Sequence, residues 1–152
     1  MSAPTFASVR GLAMFSLLVC DLTGFDSLDN NILAANLLVL RGEKGAAGDI
    51  DQLLRVYELF RAETPPGDVA CRCRALREDS TISKTIEQVL YLFYLGAVPV
   101  HRHWQRCGWK QYQGALIWRA LGVYAPFTRG DCAFGDWARP PQPTEMSVNN
   151  EL

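Results

Sequence analysis

The residues best suited to do chemistry are two histidines, His101 and His103, followed shortly by Cys107. They come directly after Pro99, so we expect them to lie in a loop, where two imidazoles and a thiolate can meet one metal ion. No Asp or Glu accompanies them in the sequence, and a complete ligand set is not visible. We therefore predict no metal site and interpret the segment as a polar loop or a contact to a partner.

Other catalytic patterns are equally weak. The carboxylates Asp21 and Asp26, and likewise Asp49 and Asp51, are better explained as helix caps and first-turn charges than as acid/base pairs. The segment Gly42–Gly45 lacks the Gly-Lys-Ser/Thr ending of a phosphate loop, and no Gly-x-Gly-x-x-Gly follows a strand. We predict no catalytic and no cofactor-binding residue, which favours a binding or structural role.

The composition is that of a small globular protein. The 152 residues are 49% hydrophobic and 20% charged, which is enough apolar material for a core. The net charge is -1 and no basic stripe runs along the chain, so we expect no nucleic-acid partner. An odd number of cysteines leaves at least one unpaired within the chain; they are Cys20, Cys71, Cys73, Cys107 and Cys132.

Apolar residues recur at helical spacing, and no strand-like alternation persists. We predict an all-α fold of about five helices in one compact domain, over residues 5–22, 27–40, 46–61, 81–97 and 109–121. Gly24 is expected to end the first helix, and Ser27 or Asp29 to cap the second. The apolar run 11–20 is too short to span a bilayer, so we expect no membrane span. The arginine-rich segment 71–77 is interpreted as a solvated or partner-facing surface.

The chain changes character at residue 124. From there to residue 152 it carries four prolines and no periodic pattern, which predicts an extended tail beyond a helical domain of residues 1–123. Large rings on such a tail are typical of anchors that dock on a partner, although folding back on the chain's own helices is the alternative. We predict these partner-binding residues: Tyr112, Trp118, Tyr124, Phe127, Cys132, Phe134 and Trp137.

Two stretches resemble one known family. The run 15–29, with Leu22-Thr23-Gly24 at its centre, resembles the first helix and turn of the small subunits of bacterial membrane-bound FAD-dependent sorbitol, fructose and glucose dehydrogenases. Tyr91–Gly96 and Tyr112–Trp118 are similar to two later helices of that family. Cys132, Trp137 and the prolines at 140 and 141 are similar to its tail. The elements occur in the family's order over most of the chain.

The resemblance implies a role without chemistry of its own. In this family the small subunit binds, stabilises and helps mature a large flavoprotein of the GMC oxidoreductase type, which holds FAD and oxidises the sugar or alcohol. A cytochrome c subunit commonly accepts the electrons. In some members a tail cysteine bonds covalently to the large subunit, and Cys132 is the matching position here, although its spacing to Trp137 is shorter than in the family.

The resemblance also implies a compartment, the periplasmic face of the inner membrane. No twin-arginine leader opens this sequence, which leaves the cytoplasm as the alternative. Two other functions stay open from the residues alone. One is a stand-alone helical binding or regulatory module, and the other is a small metal protein or enzyme built on His101, His103 and Cys107.

Overall fold

A computed structural model describes residues 9–42, 47–100 and 103–125 of the chain. Within these residues most of the backbone is helical, which confirms the predicted all-α class. The elements are α1 (Val9–Thr23), α2 (Asn30–Arg41), α3 (Ala47–Glu63), α4 (Val69–Glu78), α5 (Ser83–Leu95), β1 (Ala97–Val100), β2 (His103–Arg106), α6 (Trp109–Gln113) and α7 (Leu116–Leu121). No helix of the described ranges is both long and apolar enough to cross a membrane.

The chain divides into two compact units, one up to Tyr91 and the other from Leu92 onward. The boundary falls inside α5, which contributes residues to both units. The predicted division between a helical domain and a tail at residue 124 stays a prediction, because only Tyr124 and Ala125 of that tail belong to the described residues.

In the first unit, α1, α2, α3 and α4 pack on one another. Helices α1, α2 and α3 contribute large apolar side chains at spacings of three and four, which is the pattern of an amphipathic helix facing a core, and α4 contributes Leu76. Their burial is the main stabilising term of this unit. The fully buried side chains here include Phe15, Leu18, Leu33, Ile50, Leu53, Leu54, Tyr57, Leu76 and Ile82.

The predicted ends of the first two helices are confirmed. Gly24 takes φ +75°, and its N–H donates to the carbonyl of Cys20 at 2.8 Å, which closes α1 in the left-handed conformation that glycine tolerates. Asp29 caps α2, because its carboxylate accepts the N–H of Asn31 at 2.7 Å.

Three helical segments differ from the prediction. The helix expected over residues 81–97 is α5, which ends at Leu95 because Gly96 takes a positive φ, and Ala97 belongs to β1. The weakly patterned segment after the Pro65–Pro66 loop forms α4, which begins where Asp68 accepts the N–H of Cys71 at 3.0 Å. The single helix expected over residues 109–121 is two helices, α6 and α7. Gly114 closes α6 by donating to the carbonyl of Lys110, and Ala115 is extended, so the chain changes direction between them.

A hairpin was missed by the sequence analysis. Strands β1 and β2 pair antiparallel, with Ala97 opposite Arg106 and Pro99 opposite Trp104. Pro99 was interpreted as the end of the preceding helix and the start of a loop, and a strand is uncommon at a proline, which cannot donate a ladder hydrogen bond. In a two-stranded ribbon each strand has one unpaired edge, which removes that objection.

A buried ion pair joins the helices of the first unit. The Asp21 carboxylate of α1 accepts a hydrogen bond from the Tyr57 hydroxyl of α3 at 2.6 Å and another from Arg72 Nε of α4 at 3.1 Å. Both donors reach the same oxygen, Oδ2. Arg72 is 3% exposed, so its charge is removed from water and depends on Asp21 for compensation.

Arg72 also fixes the turn between α3 and α4. Its guanidinium donates to the carbonyl of Pro65 at 3.1 Å and to that of Pro66 at 3.4 Å. From the same helix, the Cys73 thiol donates to the main-chain carbonyl of Asp21 at 3.2 Å. The interpretation of segment 71–77 as solvated or partner-facing is therefore wrong for Arg72, because a paired guanidinium can occupy the interior. It holds for Arg74 and Arg77, which are exposed.

The ionisation of Tyr57 is set by this environment. Its ring is fully buried, and burial, followed by the hydrogen bond to the Asp21 carboxylate, raises the pKa of Tyr57 to about 12. The hydroxyl therefore stays protonated near neutral pH and remains a donor to Asp21. The contact joins α3 to α1, which gives Asp21 a structural role.

We predict that Asp21→Ala lowers the free energy of unfolding by about 3 kcal/mol, because it leaves the buried Arg72 charge uncompensated. Asp26→Ala, at an exposed position in the loop that follows α1, is the matched control and is expected to change stability by less than about 0.5 kcal/mol. Urea unfolding followed by far-ultraviolet circular dichroism measures both. Equal stabilities of the two variants would contradict the assigned role of the ion pair.

Candidate partner-binding surface

The second unit is organised around Gly96. This residue ends α5 with φ +64°, and its N–H donates to the carbonyl of Leu92 at 2.9 Å. Its own carbonyl accepts the N–H of Cys107 at 3.0 Å, directly after β2. A Cβ at this position would lie 2.7 Å from the main-chain carbonyl oxygen of Gln111, so α6 approaches the backbone of Gly96 more closely than any side chain allows.

The hairpin carries one aromatic and one cationic side chain on a common face. Trp104 and Arg106 are two residues apart on β2, and side chains at that spacing point to the same side of a strand. Trp104 is 57% exposed, and Arg106 is also exposed. Arg106 holds its guanidinium carbon 5.9 Å from the centre of the Tyr112 ring, which links β2 to α6.

Three rings continue from this contact. Tyr112 is stacked on Trp109 with ring centres 5.4 Å apart, and its edge meets Trp118 of α7, also at 5.4 Å. Trp118 Nε1 donates to the carbonyl of Tyr112 at 2.8 Å, which ties α7 to α6. Trp118 and Tyr112 are half-buried, whereas Trp109 is 53% exposed.

These contacts join Arg106, Tyr112 and Trp109. With the exposed Trp104, which is on the same side of β2 as Arg106, and the exposed Lys110 next to Trp109, they make up what we call the aromatic–basic face. Trp104 is 57% exposed and Trp109 is 53% exposed, and this much apolar ring surface is unfavourable in water. Tryptophan, tyrosine and arginine are also the residues most often found as anchors of protein interfaces. The arrangement is chemically suited to binding, and it offers no nucleophile with an adjacent base.

The predicted partner-binding residues fall into two groups. Tyr112 and Trp118 are in contact, and Tyr124 is half-buried near the end of the described residues. Phe127, Cys132, Phe134 and Trp137 lie outside the described residues, so their roles, including an intersubunit disulfide at Cys132, stay predictions.

Sequence reasoning missed the most exposed anchors, Trp104 and Trp109. Their signal was the spacing Trp-x-Arg followed by Gly-Trp, which places one ring on a strand and the next at a helix start. That spacing predicts a common side for residues 104 and 106 only if they lie in a strand, and the sequence analysis placed them in a loop.

The candidate metal residues are only partly described. His103 begins β2, His101 lies outside the described residues, and the Cys107 thiol is half-buried with its sulfur 3.8 Å from the carbonyl of Gln105. Among the side chains that the structure describes, which leave out those of His101 and His103, no three His, Cys, Asp or Glu residues converge as metal ligands would. A metal site built on His101, His103 and Cys107 therefore stays an untested alternative.

Asp51 and two of the thiols are paired with or buried by other residues of the first unit. Asp51 forms an ion pair with Arg41 at 2.8 Å, with both side chains mostly buried. Burial raises the pKa of the Cys20 and Cys73 thiols, which makes them weak nucleophiles. Cys71 is exposed on α4.

One buried polar side chain has no assigned purpose. Asn36 lies on the leucine face of α2 and is 1% exposed, and neither atom of its amide has a hydrogen-bond partner among the described residues. An unsatisfied buried amide costs about 1–3 kcal/mol of stability. The residue thus weakens the first unit unless a water molecule bridges its amide.

No protein-family model matches the chain, and no curated protein matches its sequence. The resemblance to dehydrogenase small subunits depends on the order of the motifs at residues 15–29, 91–96, 112–118 and 132–141.

We predict that Gly96→Ala disrupts the second unit, because its Cβ collides with the Gln111 backbone at a positive φ. Gly24→Ala is the matched control, since it has a similar φ of +75° and nothing within 4 Å of the added Cβ. We expect a loss of about 1 kcal/mol in the control and at least about 3 kcal/mol for Gly96→Ala. Urea unfolding measures both variants: tryptophan fluorescence reports the second unit and Gly96→Ala, because all four tryptophans follow residue 103, and far-ultraviolet circular dichroism reports the helices of the first unit and Gly24→Ala. Equal losses would contradict the close approach.

Proposed function

We propose that the chain is a non-catalytic small subunit that binds, stabilises and helps mature the FAD-containing, GMC-type large subunit of a sugar, polyol or alcohol dehydrogenase complex. The flavin belongs to the large subunit, and a cytochrome c subunit is the proposed electron acceptor. The periplasmic face of the inner membrane is the proposed location, with the cytoplasm as the alternative.

The observation that carries the proposal is the aromatic–basic face. Trp104 and Trp109 expose 57% and 53% of their surface, although their neighbours Tyr112 and Trp118 hold the region in one arrangement. A surface that is apolar and already ordered loses little conformational entropy when a partner covers it. Covering two tryptophans also removes the cost of leaving them in water.

The site chemistry supports a binding role rather than catalysis. The Asp21 carboxylate accepts hydrogen bonds from the Tyr57 hydroxyl and from Arg72 Nε. The exposed aromatic residues carry no reactive group suited to sugar oxidation, which in such complexes belongs to the flavin. A scaffold that presents anchors to a flavoprotein fits both features.

A stand-alone helical binding module is the second candidate. It is favoured by the internal ties of the ring cluster, because Trp118 already donates to the Tyr112 carbonyl within the same chain. Such a module would be stable alone and would use the exposed rings for a small ligand. The two candidates differ in whether a flavoprotein binds.

The test is co-expression of the full chain with the neighbouring flavoprotein reading frame, followed by purification through a tag on this chain. We expect a yellow complex near one-to-one stoichiometry that retains flavin and oxidises a sugar or alcohol with an artificial electron acceptor. Trp104→Ala with Trp109→Ala is expected to weaken binding by about 30-fold or more, since buried interface tryptophans contribute about 2 kcal/mol or more.

The matched control is Leu38→Ala with Leu59→Ala. These leucines are 71% and 61% exposed on α2 and α3, and removing them takes away exposed apolar surface without touching the aromatic–basic face. We expect near wild-type affinity from this pair. A chain that purifies alone as a stable, colourless monomer and does not bind the flavoprotein would overturn the proposal and favour the stand-alone module.

A further inference from the structure

Charge is distributed unevenly along this chain. Residues 88–130 contain five basic side chains, Arg102, Arg106, Lys110, Arg119 and Arg129, and not one acidic side chain. All 16 Asp and Glu residues of the protein lie outside that stretch. Although the net charge of the chain is -1, every Lys, Arg, Asp or Glu residue of segment 88–130 is basic. The aromatic–basic face lies within this segment.

The structure places two of these cations among the exposed rings. Arg106 lies over Tyr112, and Lys110 directly follows Trp109 at the exposed start of α6. Neither forms an ion pair with any residue of the described ranges. In the first unit Arg10, Arg41 and Arg72 each pair with a carboxylate, and the exposed Arg55 and Lys84 form no ion pair with a described residue.

We infer that the aromatic–basic face docks on an acidic surface of the large flavoprotein subunit, with Trp104 and Trp109 in apolar pockets and carboxylates beside Arg106 and Lys110. This inference rests on the proposed function and specifies the chemistry of the partner's surface. Burying two tryptophans would bring Arg106 and Lys110 partly out of water. Only a partner that supplies opposite charge compensates that loss of hydration.

Two other occupants share part of this chemistry. Single-stranded nucleic acid combines stacking on aromatic rings with contacts from cations, but its continuous line of phosphates is bound by many cations in a row, and this chain has a net charge of -1. A second copy could offer its own acidic residues. The flavoprotein is favoured because the surface of a large folded protein can combine apolar pockets for two tryptophans with carboxylates beside them.

The test compares charge variants of the full chain in the complex with the flavoprotein. Arg106→Glu with Lys110→Glu reverses the two charges, and Arg106→Gln with Lys110→Gln removes them. Arg55→Glu with Lys84→Glu is the control, because both residues are exposed in the first unit and the net charge changes equally. Unchanged tryptophan fluorescence and thermal unfolding of each purified variant establish that it is folded.

We expect about a tenfold loss of affinity for the Gln pair, about a hundredfold for the Glu pair, and little change for the control. Raising the salt from about 0.1 M to about 1 M shortens the Debye length from about 10 Å to about 3 Å, and should reduce the difference between wild type and the Glu pair.

Binding of the flavoprotein with equal affinity by all three variants would overturn the inference and leave the proposed function standing. No binding by the wild type would overturn the proposed function itself. Salt-dependent self-association of the wild-type chain, or tight binding of a fluorescent oligothymidylate, that the Glu pair abolishes would assign the face to a second copy or to nucleic acid and would also overturn the inference.

Discussion

The first unit depends on one buried charge, the guanidinium of Arg72. At 3% exposure it requires a carboxylate, and Asp21 supplies it while also accepting the hydroxyl of Tyr57. One oxygen thus sets the positions of α1, α3 and α4 relative to each other, and the Pro65 and Pro66 carbonyls complete the shell of acceptors around the guanidinium. Such a site favours this arrangement of the helices, because separating Asp21 from Arg72 while the guanidinium stays buried would leave a charge without its partner.

The second unit depends on a steric constraint instead of a charge. At Gly96 the helix α5 ends and the chain turns into the hairpin. Because glycine has no Cβ, the backbone of α6 can also lie directly against this residue. The ordered hairpin and α6 then hold Arg106 against Tyr112 and Tyr112 against Trp109. Rigid support beneath exposed rings is the structural basis for the proposed docking role, since the surface is arranged before any partner arrives.

The sequence predicted the features that depend on residues close together in the chain. Helical periodicity and the end signals at Gly24 and Asp29 were sufficient for the all-α class and for the boundaries of the first helices. The hairpin could not be predicted, because Pro99 and the lack of alternation conceal strands whose stability comes from their neighbours. Arg72 resembled a surface residue for a similar reason, as its partner Asp21 is 51 residues away in the chain. The aromatic–basic face could not be predicted either, because the hairpin places Trp104 and Arg106 on the same side of β2.

The central claim is that the hairpin and α6 form the surface that meets a flavoprotein. Hydrogen–deuterium exchange of the full chain, alone and in the co-purified complex, tests it directly. The account predicts that amides of residues 97–113 become strongly protected in the complex, while those on the exposed sides of α2 and α3 exchange as in the free chain. Protection confined to α1–α4, with residues 97–113 unchanged, would contradict it.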